Sequence, residues 1–135
     1  MADAVARSKA SILIVDDEPA VRRALRRLLK DECDLFHEAG CGEEALVLAR
    51  ESAVSLAVLD YRMPGINGGE LLTRLRGQGF SAPVIVLSAE MEPTMESSMR
   101  RLGASLCLSK SEMAGKLPGA VRALLARAGA LGSPA

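Results

Sequence analysis

Five polar residues of this 135-residue chain stand at or just beyond the ends of short apolar runs, and their types suit one chemistry. Asp16 and Asp17 follow Ile12-Leu13-Ile14-Val15, Asp60 follows Leu56-Ala57-Val58-Leu59, Ser88 follows Val84-Ile85-Val86-Leu87, and Lys110 comes after Leu106 to Leu108. Three carboxylates brought together repel one another and tend to take up protons unless a cation neutralises them. A hard divalent ion such as Mg²⁺ prefers carboxylate oxygens and keeps room for water and phosphate. A carboxylate is also a nucleophile toward phosphorus, forming an aspartyl phosphate. Phosphoryl transfer then asks mainly for positioning and charge neutralisation. The ammonium of Lys110 brings positive charge and the hydroxyl of Ser88 a hydrogen bond. Taken singly, Asp16 or Asp17 suits a loop start or helix cap, Ser88 a cap of the following helix, and Lys110 a solvated surface position. Coincidence explains their joint placement badly.

The elements that must position them follow from periodicity. The apolar runs are continuous and branched, as expected for strands buried on both faces. From Pro19, which suits a first helical turn, Val21, Ala24, Leu25, Leu28 and Leu29 recur at helical spacing, with Arg22, Arg23, Arg26, Arg27 and Lys30 opposite. A weaker strand is predicted from Cys33 to Glu38 and a short helix from Gly42 to Arg50. Asn67 is placed to cap a helix that carries Leu71, Leu72 and Leu75 as far as Gly77. Met95, Met99 and Leu102 fall at i, i+4 and i+7 and read as a core face rather than an adaptable binding surface. A last helix carries Leu117, Val121, Leu124 and Leu125.

Five strands alternating with five helices predict an α/β fold with a flavodoxin-like, doubly wound parallel sheet of order 2-1-3-4-5. Sites in such sheets form outside the carboxyl ends of the strands, where strand order reverses. All five polar residues then surround one crevice.

Length predicts one domain over 11–128, with an N-terminal extension at 1–10 and a tail or linker at 129–135. Seventeen basic residues balance seventeen acidic ones, which argues against a dedicated nucleic-acid binder. Cys33, Cys41 and Cys107 show no CxxC spacing and suit reduced thiols. The N-terminus has no apolar run resembling a signal peptide, and no segment approaches a membrane span. A cytoplasmic location is expected. His37 reads as a surface residue.

The chain closely resembles the receiver domains of bacterial response regulators. The likeness rests on Ile12-Leu13-Ile14-Val15-Asp16-Asp17-Glu18-Pro19, on Asp60-Tyr61-Arg62-Met63-Pro64-Gly65-Ile66-Asn67-Gly68, on Ser88-Ala89, and on Gly103-Ala104 leading to Lys110. It implies a signalling switch rather than a conventional enzyme. Asp60 would be the phosphoacceptor for a sensor histidine kinase or histidine phosphotransfer protein. Asp17 and Asp60 would ligate Mg²⁺ with the backbone carbonyl of Arg62, and Asp16 would act on the metal mainly through water. Ser88 matches the hydroxyl that moves toward the phosphoryl group, and Lys110 the lysine that pairs with it. A downstream effector protein is implied, and a homodimer on phosphorylation is possible.

Two departures bear on the readout. Cys107 stands where receivers commonly place Tyr or Phe, and is expected to be small buried filler rather than a redox sensor. Ser111 follows the lysine where a cis proline is common, which leaves a trans bond and a different loop path open, with Ser111 available as a helix cap. Arg62 and Glu90 are expected to pair across the crevice mouth. The arginines of the first helix are read as a solvated face, or else as a docking surface for the kinase. With no room for a DNA-binding or enzymatic domain after the last helix, output is expected through protein contacts, as a free-standing regulator, a phosphorelay shuttle or an excised receiver. Two rivals remain. A Mg²⁺-dependent phosphohydrolase would want a second carboxylate two residues after Asp60, where Arg62 stands; a never-phosphorylated interaction domain would not need all five site residues.

Overall fold

The computed structural model describes residues 10–132. The apolar runs form β1 (Ser11–Val15), β2 (Leu35–Ala39), β3 (Leu56–Asp60), β4 (Val84–Ser88) and β5 (Leu106–Ser109). They alternate with α1 (Pro19–Leu29), α2 (Gly42–Glu51), α3 (Gly68–Gly77), α4 (Pro93–Leu102) and α5 (Met113–Gly132), the last preceded by a 3₁₀ turn over Lys110–Glu112. The strands pair in parallel in the order β2-β1-β3-β4-β5, as the alternation predicts.

β1, β3 and β4 are buried along their whole length, which is why their sequences are unbroken apolar runs. Successive side chains on a strand point to opposite faces. Leu13, Val15, Ala57, Leu59, Val84 and Val86 therefore meet Ala45, Leu71, Leu72, Leu75 and Met99 from α2, α3 and α4. Ile12, Ile14, Val58, Ile85 and Leu87 meet Leu25 and Leu29 of α1 and Leu117 and Val121 of α5 on the other face. Each fully buried leucine or isoleucine stabilises the fold by roughly 1.5–3 kcal/mol. In-register pairing of Val15 with Leu59 and of Asp60 with Leu87 brings the carboxyl ends of β1, β3 and β4 to one edge.

Some boundaries differ from expectation. β2 spans Leu35–Ala39 rather than Cys33 to Glu38. It is an edge strand, so only its inward positions carry a hydrophobic signal, and Leu35 is 52% exposed. His37 sits half-buried on it. α5 runs to Gly132, into the expected tail, because its alanine-rich sequence favours helix. Residues 1–9 of the expected extension and 133–135 of the tail lie outside the described residues. The methionine stripe is core only in part. Met99 is buried and Met95 half-buried, but Leu102 is 37% exposed at the last turn of α4, which Gly103 ends with a φ of 113°.

Gly68 opens α3 against the exit of β3. A Cβ there would lie 2.8 Å from the Tyr61 Cα and 3.1 Å from the Asp60 carbonyl oxygen, and neither yields without moving the strand end. Gly68→Ala is expected to lower stability by about 1–3 kcal/mol, read as a lower urea midpoint. At Gly77 a Cβ meets nothing within 4 Å, so Gly77→Ala should be neutral or stabilising by up to about 1 kcal/mol. Equal effects at the two positions would contradict the steric account.

Candidate functional site

Strand endings deliver the polar residues to a crevice at the carboxyl edge. Asp16 is 1% exposed, Asp60 5% and Ser88 2%, while Asp17 is exposed. One carboxylate oxygen from each of Asp16, Asp17 and Asp60 lies within 4.8 Å of the other two. Lys110 Nζ reaches in from beyond β5, 3.3 Å from Asp60 Oδ1 and 3.4 Å from Asp16 Oδ2. Ser88 closes β4 next to Leu87, the register partner of Asp60. The expected five residues thus share one edge, and four of them are joined by direct charge contacts or close approach.

Asp16 combines two of its readings. Its Oδ1 accepts a hydrogen bond from the Glu18 amide at 2.9 Å, anchoring the entry to α1 as a loop-initiating aspartate does. Its Oδ2 faces Lys110. Its own amide donates to Ala39 O at 3.1 Å, and its carbonyl accepts from Arg22 Nη1 at 2.5 Å.

Burial, then the charge of Asp16, raises the Asp60 pKa above the usual carboxylate value; Lys110 and the Arg62 amide oppose the rise without cancelling it. For Lys110, burial disfavours the ammonium, but Asp60 and Asp16 together outweigh it and raise the pKa. The lysine therefore stays charged at neutral pH. The oxygen-only donors of the three aspartates fit a hard divalent ion better than a soft one.

The lysine is placed by a local device. Ser109 and Glu112 form a capping box around the 3₁₀ turn that begins with Lys110. Glu112 Oε1 accepts from the Ser109 hydroxyl at 2.9 Å and from its amide at 3.2 Å. Glu112 Oε2 accepts from Lys116 at 2.8 Å. Hydrogen bonds from Lys116 and Ser109 hold the Glu112 pKa down at about 2. Ser109, not Ser111, is thus the cap, because only Ser109 is followed by a glutamate three residues on. The described residues contain no cis peptide bond, so Lys110–Ser111 is trans.

Two surface expectations are corrected. Among the described residues no ion pair joins Arg62 and Glu90; both are exposed, and the ion pairs at the crevice are those of Lys110. The arginine face of α1 is solvated only in part. Arg22 Nε and Arg26 Nη1 each bond Glu38 at 3.0 Å, whereas Arg23 and Arg27 are exposed. Cys107 is buried in the core beneath α4, and desolvation pushes its thiol pKa up, as suits inert filler. No helix among the described residues is long and apolar enough to cross a membrane.

The family model described as response regulator receiver domain matches residues 12–122. The chain belongs to this family. The receiver is similar to the response regulator UvrY of Escherichia coli K12, 31% identical over 116 residues that make up 84% of this chain and 53% of UvrY. It is 41% identical over 83 residues to the transcriptional regulatory protein SrrA of Staphylococcus aureus, covering 62% of this chain and 34% of SrrA. The chain thus spans about half the length of UvrY. A two-component response regulator of the LuxR family from Aurantimonas sp. SI85-9A1 superposes with a TM-score of 0.81 at 30% identity, covering 89% of this receiver and 87% of that chain. The Francisella response regulator 1452 receiver domain gives 0.81 at 27% identity, covering 87% and 98%. Receiver domains are signalling switches.

Sequence reasoning passed over two pairs beside the receiver's site. Ser109-x-x-Glu112 is a capping-box signature and was readable. Arg22 and Glu38 meet only because β2 lies beside β1, which no local pattern encodes. In the metal-free protein, Asp60→Asn is expected to raise the thermal midpoint at neutral pH by removing a buried carboxylate charge. The native pKa of Asp60 is raised above its unfolded value, so the charge costs stability above the native pKa, and that cost fades as pH falls through it. The gain from Asn should shrink over the same range; a gain independent of pH would contradict the charge account.

Proposed function

We propose that this receiver accepts a phosphoryl group on Asp60 from the phosphohistidine of a sensor histidine kinase or a histidine phosphotransfer protein. The observation that carries this reading is the buried Asp60 carboxylate, grouped within 4.8 Å of the Asp16 and Asp17 oxygens and 3.3 Å from Lys110 Nζ. Asp16, Asp17, Asp60 and the backbone carbonyl of Arg62 are the groups that would hold Mg²⁺. Bound there, the ion offsets negative charge on the carboxylates and on the phosphoryl oxygens.

An Asp60 oxygen bonds to phosphorus as the P–N bond of phosphohistidine breaks, and the bonding electrons stay on the imidazole nitrogen. Lys110, kept cationic by its two carboxylate neighbours, pairs with a phosphoryl oxygen. The Ser88 hydroxyl donates a hydrogen bond to another. Asp16 is held in place beside Asp60 by the Glu18 amide and by Lys110, and Lys110 offsets the repulsion between the two carboxylates. A phosphohydrolase reading lacks its acid, because exposed Arg62 stands two residues after Asp60. Output runs through contact with a downstream effector protein, with homodimerisation on phosphorylation as one form of it. The length of the relatives supports a place for this receiver within a longer regulator.

Intact mass after incubation with acetyl phosphate and Mg²⁺ tests this. One phosphoryl adduct is expected on the native chain, and none on Asp60→Asn or after chelation. An adduct that survives Asp60→Asn would place the phosphoacceptor elsewhere.

A further inference from the structure

Asp16 donates its amide to Ala39 O, the last bond that ties β1 to β2. Its carbonyl lies beyond that ladder, in a residue 1% exposed, where a backbone acceptor needs a hydrogen-bond donor. Arg22 supplies it. The guanidinium gives Nη1 to Asp16 O at 2.5 Å and Nε to Glu38 Oε1 at 3.0 Å, and Arg26 takes Glu38 Oε2 at 3.0 Å. The Arg22 side chain is only 18% exposed. Across the turn after β2, a Cβ on Gly40 would lie 3.4 Å from Arg22 Nη1, so the guanidinium is bracketed there as well. Its planar fork is what allows one side chain to hold a carbonyl and a carboxylate in different directions.

We infer that Arg22 is a positioning residue for the divalent-ion site. Through the Asp16 carbonyl it fixes the short backbone from which both the Asp16 and Asp17 carboxylates hang, and Glu38 fixes Arg22. This rests on the Mg²⁺ reading above and adds a residue that touches neither ion nor phosphate.

Electrostatics and positioning predict opposite signs here, which makes the idea testable. Removing a positive charge beside a cation site should by itself tighten Mg²⁺ binding. Losing a group that orients ligand residues should weaken it, by about tenfold where such outer partners have a comparable hold. Mg²⁺ titration by calorimetry, paralleled by the emission of Tyr61, the sole tyrosine in a chain without tryptophan, reads the affinity without any phosphorylation step. Arg22→Ala is expected to bind Mg²⁺ about tenfold more weakly than the native chain. Arg22→Lys keeps the charge but not the two-armed geometry, and should also bind more weakly. Arg23→Ala removes a neighbouring exposed charge and should not weaken binding.

Melting curves without Mg²⁺ show whether each variant is folded; if Arg22→Ala is not, Arg22→Lys decides. Native or tighter affinity in the deciding variant overturns the positioning role while leaving the metal reading intact. Absence of Mg²⁺ binding by the native chain overturns the metal reading and this inference together.

Discussion

Carboxylate oxygens of Asp16, Asp17 and Asp60 crowd to within 4.8 Å of one another, and burial of two of the three deprives their charges of water. Left alone, such a cluster would push its members toward protonation or drive the strand ends apart. The surrounding structure answers the repulsion at each residue. Lys110 divides one ammonium between Asp16 and Asp60, the Glu18 amide takes the other oxygen of Asp16, and Asp17 remains in solvent. The compensation is incomplete, since the Asp60 pKa still lies above normal. An under-neutralised carboxylate at the end of a rigid strand is poised for additional positive charge.

Such tension is tolerable because the strands beneath it are secured from both faces. The alternating side chains of β1, β3 and β4 feed two separate cores, so no strand end can shift without disturbing packing above and below the sheet. Net stabilities of domains amount to only about 5–15 kcal/mol, and a charged cluster draws on that margin. Its location at strand ends, instead of mid-strand, confines the strain to loops that adapt.

Strand order, helix count and the five polar residues were legible because each rests on a strong local signal: a buried run of branched residues, then a polar residue where the run stops. β2 was less legible because an edge strand hides one face only, which left its start two residues out. Arg62 and Glu90 were expected to meet from their matching offsets, but offsets do not fix where exposed long side chains point. Arg22 was taken as part of a charged helix face, whereas its partners, the Asp16 carbonyl and Glu38, are neighbours only in the folded sheet. The turn at Lys110 could have been read from Ser109 and Glu112, yet Ser111 drew attention by occupying the place of a familiar proline.

Parallel pairing of three wholly interior strands also implies an uneven distribution of protection from solvent exchange. Amides of β1, β3 and β4 can exchange only when both cores open, at a free energy near that of global unfolding, whereas the loops that follow them open at far smaller expense. Asp60 stands at the boundary between these two regimes. Its backbone ends one of the interior strands, and its carboxylate lies at the crevice formed where those strands give way to loops. A change of charge there therefore acts on segments that open at less expense than the scaffold that presents it.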